Sequence, residues 1–98
     1  MNRTVTVAIQ VLPLCGDPYP VVDRAIAVIQ QSGLRYEVGP LETTMEGELA
    51  QLLHVAQRAH EACFVEGVDR VVTFIKIGDA RSGSTIADKV GKYRQPEK

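Results

Sequence analysis

From Thr4 to Leu12 the apolar side chains recur at every second position. Val5, Val7, Ile9 and Val11 share one side, and Thr4, Thr6, Ala8, Gln10 and Leu12 share the other. A period of two is the signature of an extended strand, because successive side chains leave a pleated backbone on opposite faces. Pro13 ends the run. Whatever this chain becomes, it must be built around a sheet with this segment well inside it.

The following loop, Leu14 to Pro20, collects Cys15, Gly16, Asp17 and Pro18, which favour turns and helix starts. Val22, Ala25, Ile26 and Ile29 then recur at helical spacing until Gly33 stops the pattern. A short strand follows from Arg35 to Val38, and Gly39-Pro40 turns the chain into another, the two forming a hairpin. From Glu48 a second amphipathic helix carries the stripe Leu49, Leu52, Leu53, Ala56, His60 and Cys63, with Gly67 as its left-handed cap. Val68 to Ile77 reads as the last strand. Ile86, Val90 and Tyr93 keep helical spacing, which predicts a short C-terminal helix before a frayed tail at about 94–98.

The order strand, helix, strand, strand, helix, strand predicts an α+β, ferredoxin-like βαββαβ sandwich. Its four-stranded antiparallel sheet runs 4-1-3-2, and both helices cover one face. All 98 residues form one domain, too small for a cleft between lobes, so a site must lie on a sheet face, at element ends or between subunits. Leu12 and the valines supply apolar groups to both strand faces. The second face is therefore expected to be partly buried, most simply by another copy of the chain.

Composition removes several classes of partner. With 11 basic and 12 acidic residues the formal net charge is -1, which leaves no excess for a phosphate backbone. Three tyrosines, two phenylalanines and no tryptophan offer little base stacking, so nucleic acid is not expected. No apolar run approaches the roughly 20 residues of a membrane span. Two cysteines, Cys15 and Cys63, match neither a Cys-x-x-Cys pair nor a zinc framework, and free thiols in a reducing cytoplasm are expected.

The densest polar constellation is Leu-Glu-Thr-Thr-Met-Glu-Gly at 41–47, where a strand hands over to a helix. Carboxylates accept from amino groups and can balance a ligand cation, while hydroxyls both donate and accept. Alternation puts Glu42, Thr44 and Glu46 on one face and Thr43 and Met45 on the other. Lys76 interrupts the apolar run Val71 to Ile77 and Arg81 follows it, so a basic pair lies near the end of the fourth strand. Lys76 is open to two readings, an edge-strand charge that discourages aggregation or a ligand contact. Gln10 is the matching polar interruption in the first strand.

The remaining reactive side chains read as structural. His54 and His60 stand six positions apart and point in different directions on one helix, so no metal site is expected of them. His60 belongs to the apolar stripe and Cys63 should be packed. Cys15 precedes a helix, whose N-terminus can activate a thiolate, but no general base is identifiable beside it and no catalytic residue is assigned.

Three blocks, Val-Ala-Ile-Gln-Val-Leu-Pro-Leu at 7–14, Ser-Gly-Leu-Arg-Tyr-Glu-Val-Gly-Pro-Leu-Glu-Thr-Thr-Met-Glu-Gly at 32–47 and Arg-Val-Val-Thr-Phe-Ile-Lys-Ile at 70–77, resemble the thiamine-binding protein family over nearly the whole chain. The middle block is the specific one. The resemblance implies a cytoplasmic, non-catalytic binder of thiamine or its hydroxymethylpyrimidine moiety, assembled as a homodimer or homotetramer and requiring no cofactor. On that basis Glu42 or Glu46 supplies counter-charge to the thiazolium, and Gln10, Thr43 and Thr44 satisfy the pyrimidine edge. Lys76 and Arg81 complete the expected ligand-binding set. Ile-Gly-Asp-Ala separates Lys76 from Arg81, a longer spacing than the family's usual run. With few aromatics, packing against the ring would come from Tyr19, Tyr36, Phe64, Phe74 or Tyr93, or from Leu12 and Met45 instead.

Two rival classes use the same fold. A small acyl-phosphate hydrolase would want an anion cradle with arginine after the first strand, whereas 13–20 carries only Asp17 as a charge. An oligomeric structural or regulatory module would use the Glu-Thr-Thr cluster to bridge subunits. RNA-recognition and copper-carrier versions lack their strand aromatics and Cys-x-x-Cys here.

Overall fold

The computed structural model describes residues 3–93, so the tail at 94–98 lies outside the described residues. Its elements are β1 (Val5–Pro13), α1 (Tyr19–Gln31), β2 (Arg35–Val38), β3 (Thr43–Gly47), α2 (Leu49–Glu61), β4 (Val71–Gly78) and α3 (Ile86–Val90), with a 3-10 turn at Gly91–Tyr93. The sheet order is β2-β3-β1-β4 and every pairing is antiparallel. This is the expected βαββαβ sandwich, with β1 and β3 at its centre.

Pro13 ends β1 as its last residue. It pairs with Val71 at the last rung, and Leu14 N–H donates to the Arg70 carbonyl at 2.9 Å one step beyond. A proline is tolerated there because it sits at the end of the strand.

One face of the sheet is closed by α1 and α2. Val5, Val7 and Ile9 of β1 and Met45 of β3 meet Val21, Ala25 and Ile29 of α1 and Leu52, Val55, Ala56 and Ala59 of α2, with Cys63 sealing the end. The stripe on α2 is therefore Leu52, Val55, Ala56 and Ala59, spaced i, i+3, i+4, i+7, and Leu53 is left exposed. Val21 replaces Val22 at the buried start of α1 for the same geometric reason.

Gly67 does not cap α2. The helix ends at Glu61, where the N–H groups of Ala62, Cys63 and Phe64 turn back onto Arg58, His60 and Glu61. Gly67 instead sits third in a turn closed by Val68 N–H on the Val65 carbonyl at 3.0 Å, with φ 89°, a conformation glycine adopts without steric cost. That turn drops Val68 into the core and delays β4 to Val71.

Candidate functional site

The open face of the sheet is organised in cross-strand rows by the register. Ala8 stands between Thr44 on β3 and Lys76 on β4, and Thr44 in turn faces Glu37 on β2. One row along, Thr6 stands between Glu46 and Gly78, and Glu46 faces Arg35. Residues opposite one another in a ladder share a face, so the strand alternation read from the sequence places Glu42, Thr44 and Glu46 here. Thr43 and Met45 go into the core, at 5% and 0% exposure.

The row Arg35, Glu46, Thr6, Gly78 is a scaffold. Glu46 Oε1 accepts from the Ile86 N–H at 2.9 Å and lies 3.3 Å from Arg35 Nε. Thr6 Oγ1 donates to the Gly78 carbonyl at 3.2 Å and hydrogen-bonds Ser84 Oγ at 3.1 Å, while Ser84 N–H donates to the Thr4 carbonyl at 2.7 Å. These contacts pin the segment after β4 across the sheet and seat α3 on the open face. A capping box finishes the job: Asp88 N–H donates to Thr85 Oγ1 and Thr85 N–H to Asp88 Oδ2. Ile86 is buried at 3% exposure although it lies apart from the main core.

The neighbouring row stays open. Over it lies a cavity of about 510 Å³ lined by Glu37, Thr44 and Lys76 from the sheet, Gly39 to Glu42 from the hairpin, and Ile86, Lys89 and Val90 from α3. A second chamber of about 270 Å³ adjoins it over Thr6, Ala8, Ile77 and Gly78, and the two share Glu42, Thr44, Lys76 and Lys89. Lys76 Nζ lies 2.7 Å from Glu42 Oε1, so strand charge and hairpin charge meet across the floor. Ala8 keeps that floor low.

The expected site residues thus separate. Glu42, Thr44 and Lys76 come together around the cavity. Glu46 holds α3 and Arg35. Thr43 and Gln10 line a third, apolar cavity of about 440 Å³, set between α1, the later half of β1 and the hairpin, which Glu42 also borders. Arg81 is exposed in the turn before α3 and lines none of the three cavities. Leu12 and Met45 do not line the 510 Å³ cavity either; its apolar wall is Pro40, Leu41, Ile86 and Val90. Sequence reasoning missed Lys89, whose signal was its spacing of three from Ile86, on the same face of the short helix.

Elsewhere His60 Nδ1 hydrogen-bonds Thr73 Oγ1, and its ring meets Phe64 edge-on with centroids 5.5 Å apart. His54 is exposed. Burial pushes the Cys63 thiol above its ordinary pKa, as suits a packed, inert cysteine, and its S–H points at the Ala59 carbonyl. Cys15 is half-buried, with its S–H toward the Asp17 carbonyl. Among the described residues no helix is long and apolar enough to cross a membrane, and no group of three or more His, Cys, Asp or Glu is placed to hold a metal ion.

A family model described as thiamine-binding protein matches residues 7–94. The chain belongs to the thiamine-binding protein family. A Clostridium perfringens member of the UPF0045 group is 44% identical over 93 residues, covering 93% of this chain and 98% of the relative. A Bacillus cereus structure, described as a domain of unknown function, superposes with a TM-score of 0.89 at 52% identity, covering 96% of this chain and 93% of that one. A Thermotoga maritima protein, named provisionally for thiamine biosynthesis or salvage, superposes with a TM-score of 0.84 at 38% identity over 93% and 99% of the two chains. Family and fold agree with the architecture described above.

Proposed function

We propose that this member of the thiamine-binding protein family reversibly binds thiamine or its hydroxymethylpyrimidine moiety, for sequestration or delivery and without chemistry. The observation that carries the reading is the Glu42–Lys76 pair beside Thr44 at the floor of a 510 Å³ cavity with one aliphatic wall. That volume lies within the 300–1,000 Å³ or so typical of small-molecule sites. An aminopyrimidine presents an amino group and ring nitrogens along one edge. Glu42 accepts from the amino group, Thr44 serves a ring nitrogen, and Pro40, Leu41, Ile86 and Val90 cover the ring faces. A thiazolium cation gains from the carboxylates of Glu37 and Glu42 in a partly dry site.

Assembly belongs to the same proposal. Among the described residues the outer edge of β4 has no partner strand, and its side chains Val72, Phe74, Ile75 and Ile77 are 39%, 54%, 44% and 51% exposed. An apolar edge of this length is a template for pairing, so a homodimer or homotetramer covers it. This same edge favours the competing reading of a purely oligomeric module.

Isothermal titration calorimetry with thiamine, hydroxymethylpyrimidine and thiamine diphosphate separates the two, with assembly followed by light scattering. Saturable binding at micromolar or lower Kd is expected, and Thr44→Ala should weaken it about tenfold in an unchanged oligomer, as loss of one buried hydrogen bond predicts. An oligomer stripped of co-purified ligand that shows no saturable heat with any of the three would leave the interaction module as the function.

A further inference from the structure

The two chambers of the site differ in charge. The outer one sets the carboxylates of Glu37 and Glu42 against the ammoniums of Lys76 and Lys89. The inner one keeps both lysines but only Glu42. Glu42 is already matched to Lys76 at 2.7 Å. Nearby carboxylates are committed elsewhere: Glu46 to Ile86 N–H and Arg35, and Asp88 to the N-cap of its own helix. Among the described residues no carboxylate forms an ion pair with Lys89, and its ammonium is brought to the inner chamber.

Glycine at 78 leaves room for the Lys89 side chain to lie against the end of β4. A Cβ at that position would come 2.8 Å from Lys89 Nζ, 3.0 Å from its Cε and 2.6 Å from Thr6 Oγ1. The ammonium lies over the junction of β1 and β4, facing the chamber that Lys76 and Thr44 also line. Two ammoniums and a hydroxyl lining a small space beside the single carboxylate of Glu42 leave a net positive chamber, and an anionic ligand group forms charge-assisted hydrogen bonds with them.

We propose that Lys89 and Lys76 make the inner chamber a phosphate subsite, and that the site selects the phosphate monoester of its heteroaromatic alcohol over the free alcohol. The inference rests on the binding reading above and names the form bound. The ring occupies the outer chamber against Pro40, Leu41, Ile86 and Val90, with its amino edge toward Glu42. The phosphate reaches through the shared wall to Lys89, while Lys76 bridges it to Glu42. Binding of the dianion then strengthens the hold of α3 on the sheet, since Lys89 is part of that helix.

The test is calorimetric titration of the assembled protein with hydroxymethylpyrimidine, hydroxymethylpyrimidine phosphate, thiamine and thiamine monophosphate, with inorganic phosphate as competitor. At least one monophosphate is expected to bind about tenfold or more tightly than its own alcohol, the scale of one hydrogen bond to a charged group. Whichever pair shows the gain identifies the source of the phosphate. Lys89→Gln, at an exposed position, should abolish the gain, and Lys89→Arg should keep most of it. Inorganic phosphate should compete with the monophosphate far better than with the alcohol. Equal affinities for alcohol and monophosphate, or a gain that survives Lys89→Gln, would overturn the phosphate subsite while leaving the binder standing. Absence of saturable binding by all four ligands would overturn both.

Discussion

The two faces of this sheet are finished by different physics. Under α1 and α2 the contact is apolar and tight, with Val7, Met45, Leu52, Ala56, Ala59 and Cys63 all at 0% exposure. The opposite face is held by directional contacts. Glu46 receives the Ile86 N–H, Thr6 meets Ser84, and Arg3 grips Asp79 in two bonds of 2.6 and 2.7 Å. A five-residue helix such as α3 has no stability of its own in water, so it persists because the sheet offers it an acceptor and a slot for Ile86. The lesson is that one face determines whether the chain folds and the other whether the folded chain has a chamber. The core is almost wholly apolar, while the polar scaffold leaves a neighbouring row of side chains for a ligand.

The largest effect that separates the faces is a cavity in the first. Leu52→Ala removes a fully buried side chain from the first turn of α2, and such truncations cost about 2–5 kcal/mol. Urea unfolding should show that loss, with Tm lower by about 10 °C or more for a chain this size. Ligand affinity in the remaining folded protein should hardly change. A cost under about 1 kcal/mol would mean that α2 is not the keystone of the core.

On the other face Glu46→Gln keeps the shape but removes the charge from the acceptor of the Ile86 N–H and from the partner of Arg35. A stability loss of about 1–2 kcal/mol is expected, the range for a partly buried charge-assisted hydrogen bond. Its diagnostic consequence is local. Hydrogen exchange should accelerate at residues 86–90 while β1 and β3 amides stay protected, because α3 opens without unfolding the sheet. Uniform acceleration across the domain would show that the two faces are not separable.

This division explains what could be read from the sequence. The helix-covered face obeys period rules, so the alternation of Val5, Val7 and Ile9 and the grouping of Glu42, Thr44 and Glu46 against Thr43 and Met45 were legible before any coordinates. Strand order followed from the sequence of elements. The site was legible only in part, because adjacency across strands depends on register. Nothing in the local sequence says that Ala8 lies between Thr44 and Lys76, or that Glu46 is used to seat α3 and so leaves Glu42 to face the cavity. Lys89 carried only its helical spacing from Ile86, which gains meaning once the open face is known to be its floor. Gly67 misled for a physical reason: a left-handed glycine ends helices and also makes turns, and here the helix had already closed on Ala62.

The smallest expected effect sits at the outer limit of the polar scaffold. Arg3 and Asp79 join the chain before β1 to the chain after β4, anchoring the start of the segment that leads to α3. The Arg3 guanidinium, through its hydrogen bond first and its charge second, holds the Asp79 carboxyl below the ordinary carboxylate range. Because the folded state prefers the ionised form, the pair's contribution is fully present above the ordinary carboxylate pKa. It is lost as pH falls through the lowered folded value. Arg3 is itself raised beyond its ordinary value by the same contact, so it stays charged throughout. The pair is open to solvent and salt screens it, which is why the effect ranks last. Thermal unfolding of the wild-type protein and Asp79→Asn at low ionic strength should therefore show a small Tm gap from pH 7 down to about 5, closing as the solution is taken toward pH 2. A gap that persists unchanged into strong acid would mean that Asp79 acts through its backbone turn, and that the scaffold on the open face begins at Thr6 and Ser84.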